Sequence, residues 1–304
     1  MKILTLAAID IGSNAIRLLI SNVECFAARR EFKKTAFIRV PIRLGEDVFF
    51  GPGEISAEKT ARLAEAMEGF SHLMKAYGVS AFRACATSAM REAKNSRQVC
   101  EKILGRSGVK IEVIGGGEEA DILYRANAFK NADFGAGENC LYMDVGGGST
   151  EFVAYNSSGK VAAKSFGLGA VRLLKNPAAA APQFEAFDSF LEDLRRDFKP
   201  SKIIGSGGNI SRIAKLISGG GEEISPAEMK ELYGRLSAMS FEDRVEELGL
   251  NTYRADVIIP ALEIFMRACE KSGAEKIAVP KIGLVNGIIV DLLDSIESAG
   301  ELKA

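Results

Sequence analysis

The sequence predicts a mixed α/β protein of two related domains, and three observations carry this. A chain of 304 residues is longer than one compact unit usually holds. Short apolar strands alternate with amphipathic helices. A strand–turn–strand pattern that opens the chain at Asp10 returns in its middle at Asp144.

The elements follow in order. Residues 3–9 (ILTLAAI) form an apolar run, Gly12 and Ser13 break it, and Ile16 to Val23 resumes as a second strand, which makes a hairpin. A helix is expected after Ser56, because Leu63, Met67, Phe70, Met74 and Tyr77 recur at three-to-four spacing and Gly78 stands where the helix should end. Then come a strand near 80–87, a helix near 96–105, the alternating strand Val109 to Ile114 and a helix from about Glu118 to Asn131. The opening pattern returns as the strand Asn139 to Val145, the turn Gly146 to Gly148 and the strand Thr150 to Tyr155. Beyond it lie a strand near 160–166, helices near 168–175 and 183–197, the strand Lys202 to Ile204, a glycine turn (GSGGN, 205–209) and a mostly helical remainder closing with a helix near 284–297. NPAAAAPQ (176–183) and GGGEE (219–223) read as surface loops.

Composition narrows the classes. No stretch reaches the ~20 apolar residues of a membrane span, and the start turns polar too early for a signal peptide, so a cytoplasmic protein without a membrane partner is expected. The five cysteines are scattered, with no CxxC pair, and read as reduced thiols. The net charge of −1 divides unevenly: residues 1–112 carry 18 Lys and Arg against 12 Asp and Glu, and residues 113–304 carry 21 against 28. Such asymmetry marks either an anion-facing surface or ordinary solvated charge, while the overall charge of −1 argues against a polyanionic partner, and no nucleic-acid partner is expected.

Chemistry concentrates in the two hairpins. The first reads Asp10-Ile11-Gly12-Ser13-Asn14 and the second Asp144-Val145-Gly146-Gly147-Gly148-Ser149-Thr150. Glycine lets backbone N–H groups approach an anion, and Ser and Asn add donors. An aspartate beside phosphate needs a divalent cation or water between them. A single hairpin of this kind could be an ordinary turn, but two with the same order of parts argue for a phosphate grip. No GxxxxGK stands before Ser or Thr, and the GGGS turn leads into a strand, which excludes P-loop and Rossmann readings.

Three further features stand between or beside the hairpins. Glu118 and Glu119 sit at a helix start, where they can simply favour the positive end of the helix dipole or supply a general base; on the residues alone the first is favoured. Arg91, just past a strand end in Ala86 to Asn95, can fork onto phosphate or pair with Glu92 or another neighbour. His72, the only histidine, lies beside core-facing positions of a helix and is read as structural.

Taken together, Asp10 to Leu18 (DIGSNAIRL), Ala86 to Asn95 (ATSAMREAKN), Ile114 to Ala120 (IGGGEEA), Asp144 to Glu151 (DVGGGSTE), Gly167 to Leu173 (GLGAVRL) and Gly205 to Ile210 (GSGGNI) resemble the exopolyphosphatase and guanosine pentaphosphate phosphatase (Ppx/GppA) family. The resemblance runs from about residue 5 to 292. It implies two actin-like ATPase (ribonuclease H-like) domains with βββαβα cores and a cleft between them, here 1–122 joined by about 288–304, and 123–287. It implies a magnesium-dependent hydrolase, or one using another divalent cation, that releases terminal phosphate from inorganic polyphosphate or guanosine pentaphosphate. By the same resemblance Glu119 activates the water, Asp144 and Glu151 hold the metal and order the water, and Asp10 faces them as a further metal-side carboxylate. Gly12, Ser13, Asn14, Gly146, Gly147, Gly148 and Ser149 contact phosphate, and Arg91 neutralises it.

Two departures bear on substrate. Where the family has a segment like Ser-Asp-x-Gly-Leu-Arg-Glu-Gly, this chain reads Pro280-Lys281-Ile282-Gly283-Leu284-Val285-Asn286-Gly287, and Arg254 with Lys281 are the expected replacements for the lost polar groups. The sequence also stops near 304, where longer members continue into a helical domain, so a short form and shorter substrates are expected. A guanosine polyphosphate-binding regulator without turnover is the alternative, and an ATP-dependent kinase of the same fold a third reading. A symmetric homodimer is the default oligomeric expectation.

Overall fold

The computed structural model describes residues 2–26, 29–126, 138–175, 177 and 180–299. The chain divides into two compact units, Met1–Asp133 with Leu284–Ala304, and Phe134–Gly283. The first contains β1 (Lys2–Ile11), β2 (Ile16–Cys25), β3 (Arg30–Val40), α1 (Leu44–Phe49), α2 (Ala57–Ala76), β4 (Ala81–Ala86), α3 (Ser88–Glu92), α4 (Ser96–Ser107), β5 (Ile111–Val113) and α5 (Gly116–Arg125). The second contains β6 (Cys140–Val145), β7 (Thr150–Asn156), β8 (Gly159–Phe166), α6 (Ala170–Lys175), α7 (Ala181–Asp197), β9 (Lys202–Ser206), α8 (Gly207–Ser218), β10 (Glu223–Ile224), α9 (Pro226–Ala238), α10 (Phe241–Glu246), α11 (Thr252–Ala255), α12 (Ile258–Ser272) and β11 (Ile277–Ala278). The last helix, α13 (Leu284–Ser298), returns to the first unit.

The two sheets repeat one plan. The first runs β3-β2-β1-β4-β5 and the second β10-β11-β9-β6-β7-β8. In each, three antiparallel strands joined by hairpins are continued by parallel strands. This is the actin-like, ribonuclease H-like order, present twice. The second sheet adds β10, antiparallel on β11.

The sheet of the first unit is apolar on both faces, which is why its strands read as near-continuous hydrophobic runs. Ile9, Ile11, Ile16 and Leu18 meet α2 and α4 through Leu63, Met67, Phe70, Val99 and Ile103. On the other face Leu6, Ala8, Leu19 and Cys85 pack with Ile122 and Leu123 of α5 and Ile288, Ile289 and Leu293 of α13. Helix α2 follows its periodicity: Ser56 accepts from the Lys59 N–H as N-cap, and Leu63, Met67, Phe70 and Met74 are buried. His72 is exposed on it.

Several local expectations are revised. Strand β3 and the short helices α1 and α3 have no counterpart in the sequence reading. Helix α5 begins at Gly116, two residues earlier than expected, and reaches Arg125; residues 127–131 of the expected helix lie outside the described residues. Within 176–183, Ala181 already opens α7 with proline in its first turn, and 176, 178 and 179 are outside the described residues. Glu223 of the expected 219–223 loop is the first residue of β10. No helix among the described residues is long and apolar enough to cross a membrane.

Candidate active site

The hairpins are built alike. In the first, the Gly12 N–H donates to the Ala15 carbonyl at 3.2 Å, and in the second the Gly146 N–H donates to that of Ser149 at 2.9 Å. Ser13 is buried and shares a hydrogen bond with the Ser88 hydroxyl at 2.9 Å. In the second hairpin, α6 takes the carbonyls, which would repel an anion: the Ala170 N–H donates to Gly146, and the Val171 and Arg172 N–H groups to Gly147. The Arg172 Nε donates to the Gly148 carbonyl at 2.9 Å. Gly169 lies so close that a β-carbon there would collide with the Gly147–Gly148 peptide. The GLGAVRL segment is therefore the support on which the second glycine hairpin rests.

In each hairpin the aspartate stands opposite the residue seven places on, so Asp10 faces Arg17 and Asp144 faces Glu151. Residues opposite one another across neighbouring strands share a sheet face. The first unit thus carries a row Arg39, Arg17, Asp10, Cys85, Glu112, and the second the row Ser165, Glu151, Asp144, Ser206. Arg17 makes a salt bridge to the buried Asp10. At the equivalent place in the second unit stands a second carboxylate, Glu151, only 2% exposed, which accepts from the Ser165 hydroxyl at 2.9 Å. Beside Asp10, burial pushes the Cys85 thiol up to about 12, so it stays protonated at neutral pH.

The acid pair at 118–119 is divided between two arginines. Glu118 is exposed and bonds Arg83 at 2.7 Å, which also reaches Glu112 at 2.9 Å and Asp291 at 2.6 Å. Glu119 is buried at 7% exposure and meets Arg91 Nη1 at 3.3 Å, while that nitrogen also donates to the Ile114 carbonyl at 2.8 Å. The two acids of the pair thus differ in exposure and in partner. Glu118 is a helix-start acid in a surface ion-pair cluster. Glu119 is an enclosed carboxylate beside a guanidinium with donors to spare.

The second unit's residues fit a hydrated divalent cation. Two carboxylates lie opposite each other on one sheet face, and Mg²⁺ prefers one or two carboxylates with water and phosphate oxygens completing its shell. Gly207 has φ +86, and a β-carbon there would strike the Asp144 carboxylate, so glycine keeps that acid's place against the start of α8. Among the described residues no three His, Cys, Asp or Glu side chains cluster as a complete ligand set.

Other expected contributors fall as follows. Arg254 donates to the Gly208 carbonyl beside the GSGGN junction, which is a strand-to-helix passage from β9 into α8. Lys281 is exposed with φ 58. Gly287 approaches the Ile122 carbonyl so closely that a β-carbon would collide with it, so the altered 280–287 segment ends by docking α13 onto α5. A pocket in the first unit lined by Glu46, Asp47, Glu54 and Lys102 contains none of the expected site residues. Sequence reasoning gave no role to Arg17, the salt-bridge partner of Asp10. The i, i+7 spacing of Asp10–Arg17, the same as Asp144–Glu151, was the available signal for Arg17.

The Ppx/GppA phosphatase family profile matches residues 32–296. Exopolyphosphatase 2 of Mycobacterium tuberculosis is 27% identical over 96% of this chain and 99% of its own. The guanosine-5′-triphosphate,3′-diphosphate pyrophosphatase of Aeromonas hydrophila is 26% identical over 94% of this chain and 59% of its own. An exopolyphosphatase from Cytophaga hutchinsonii superposes with TM-score 0.84 at 22% identity, covering 96% of this chain and 98% of that one, a likeness of fold.

Proposed function

Because the chain belongs to the Ppx/GppA phosphatase family, we propose that it is a hydrolase of phosphoanhydrides, releasing terminal phosphate from inorganic polyphosphate or guanosine pentaphosphate with the help of magnesium or another divalent cation. The observation that carries this reading is the buried Glu119 held beside Arg91, because phosphate-gripping hairpins alone would serve a kinase or a binding protein as well. The names of the relatives, an exopolyphosphatase and a guanosine polyphosphate pyrophosphatase, support the substrate class.

In this reading the chain's own groups divide the work. In the second unit the N–H groups of Gly147, Gly148 and Ser149 hold phosphate oxygens at the turn that the Gly146 N–H closes, and in the first unit Ser13 and Asn14 serve the same purpose at the turn that the Gly12 N–H closes. Arg91 offers its remaining donors to phosphate charge, since phosphoryl transfer to water needs positioning and charge neutralisation more than covalent chemistry. Glu119 accepts the proton of the attacking water and aligns it with the terminal phosphorus. Asp144 and Glu151 would hold the cation, which when bound neutralises charge on the phosphates and leaving group. Asp10, whose charge Arg17 balances, is assigned as a further metal-side carboxylate. We place the protein in the cytoplasm, in keeping with scattered cysteines that form no CxxC pair, and as a homodimer.

The test is a phosphate-release panel over long polyphosphate, tripolyphosphate, guanosine pentaphosphate and ATP, with Mg²⁺ or EDTA. Release from the first three with Mg²⁺ is expected. Binding of the guanosine nucleotide with no release from any substrate would instead select a regulator.

A further inference from the structure

We propose that Ser206 is a further residue of the cation and phosphate site, its hydroxyl reserved for the hydration shell of the divalent cation beside Asp144. This rests on the assignment of Asp144 made above and extends it to a residue outside the phosphate hairpins.

Ser206 ends β9 and is the N-cap of α8. A serine in that place ordinarily spends its hydroxyl on an N–H of the first helical turn, and here it makes no such bond. The side chain is 1% exposed, and its Oγ has no hydrogen-bond partner among the described residues. A buried hydroxyl left without a partner is costly, and native proteins retain one chiefly where a ligand or water completes it.

The position says which ligand. Ser206 lies opposite Asp144 in the parallel β6–β9 register, and Asp144 lies opposite Glu151. The hydroxyl therefore shares the face of the acid pair. Gly207, next in sequence, keeps the Asp144 carboxylate against the start of α8. A hydroxyl has one donor and two acceptor lone pairs, so it can accept from a water of a hydrated cation and donate to a phosphate oxygen.

The repeat gives a second, independent contrast. The place of Ser206 in the first unit is taken by Cys85, opposite Asp10, where the row carries Arg17 and not a second acid. The hydroxyl accompanies the acid-paired row, and a weak-donor thiol the arginine-neutralised one.

The experiment uses the full chain without substrate and counts free Mn²⁺ by its electron paramagnetic resonance signal, for wild type, Ser206→Ala, Ser206→Cys and Asp144→Asn. Ser206→Ala is expected to weaken Mn²⁺ binding about fivefold and, without metal, to raise Tm by ~2–4 °C because an orphaned hydroxyl is removed. Ser206→Cys preserves volume and gives the same loss of affinity should the alanine variant fold poorly. A fall in metal-free Tm for Ser206→Ala would show a structural partner and overturn the proposal. Unchanged Mn²⁺ affinity in both Ser206 variants, with weakened binding in Asp144→Asn, would overturn it while leaving the assignment of Asp144 intact. Unchanged affinity in Asp144→Asn would remove that assignment and this proposal together.

Discussion

Arg91 and Glu119 meet at 3.3 Å between Nη1 and Oε2, and the same nitrogen bonds the carbonyl of Ile114 at 2.8 Å. One guanidinium thereby ties the end of β5 to the first turn of α5 and keeps an enclosed carboxylate in place. Lysine would preserve the charge but not the planar fork. Arg91→Lys is expected to lower kcat/KM for phosphate release about 10- to 100-fold, the loss of one or two charged hydrogen bonds. Steady-state kinetics with the far-UV circular dichroism unchanged would check it.

The neighbouring acid is expected to behave differently. Glu118 bonds Arg83, which also serves Glu112 and Asp291; burial works to lower the Arg83 pKa, but Glu118 and Glu112 hold it above its ordinary value. Arg83→Met should destabilise the protein by about 1–2 kcal/mol, less so at high salt. Glu118→Gln should leave phosphate release within a factor of ~3 of wild type. Urea unfolding at low and high salt, and initial rates, measure the two effects.

These assignments show what the sequence could and could not disclose. The hairpins at Asp10 and Asp144 were readable because tight glycine turns between apolar runs leave a local mark. Strand β3 was not, because REFKKTAFIRV is a half-exposed edge strand with no buried residue and hence no clean alternation to detect. Helix α3 covers five residues, fewer than two turns, too short for any period. The division of Glu118 and Glu119 between Arg83 and Arg91 depends on strand and helix packing that no local pattern encodes. The orphaned Ser206 hydroxyl is visible only once β9 is set beside β6.

Gly287 offers a test of how α5 is held. A methyl group there would collide with the Ile122 carbonyl, so Gly287→Ala should force α13 from α5 and destabilise the protein by about 1–3 kcal/mol. Since α5 carries Glu119, kcat should fall more than KM rises. Kinetics paired with thermal denaturation separates this from a purely structural loss.

Asp47 provides a pH-dependent contribution. Burial alone would raise its pKa, but the Lys59 ammonium at 2.7 Å and the Ser56 N–H at 2.9 Å outweigh burial and hold it below the ordinary carboxyl range. A depressed carboxyl pKa stabilises the fold above the unfolded-state value, and that stability is lost as pH falls through the folded value. Asp47→Asn should therefore lower Tm at pH 7, with the difference from wild type shrinking as pH falls from about 5 to 3. A difference that is constant with pH would contradict the pairing.

The most direct test of the account is phosphate release from inorganic polyphosphate in Mg²⁺ by wild type and Glu119→Gln, with both proteins shown to have the same Tm and Mn²⁺ affinity. The account predicts steady release by wild type and a loss of about 10²–10⁴ in kcat for the variant. Release by Glu119→Gln at the wild-type rate would contradict it.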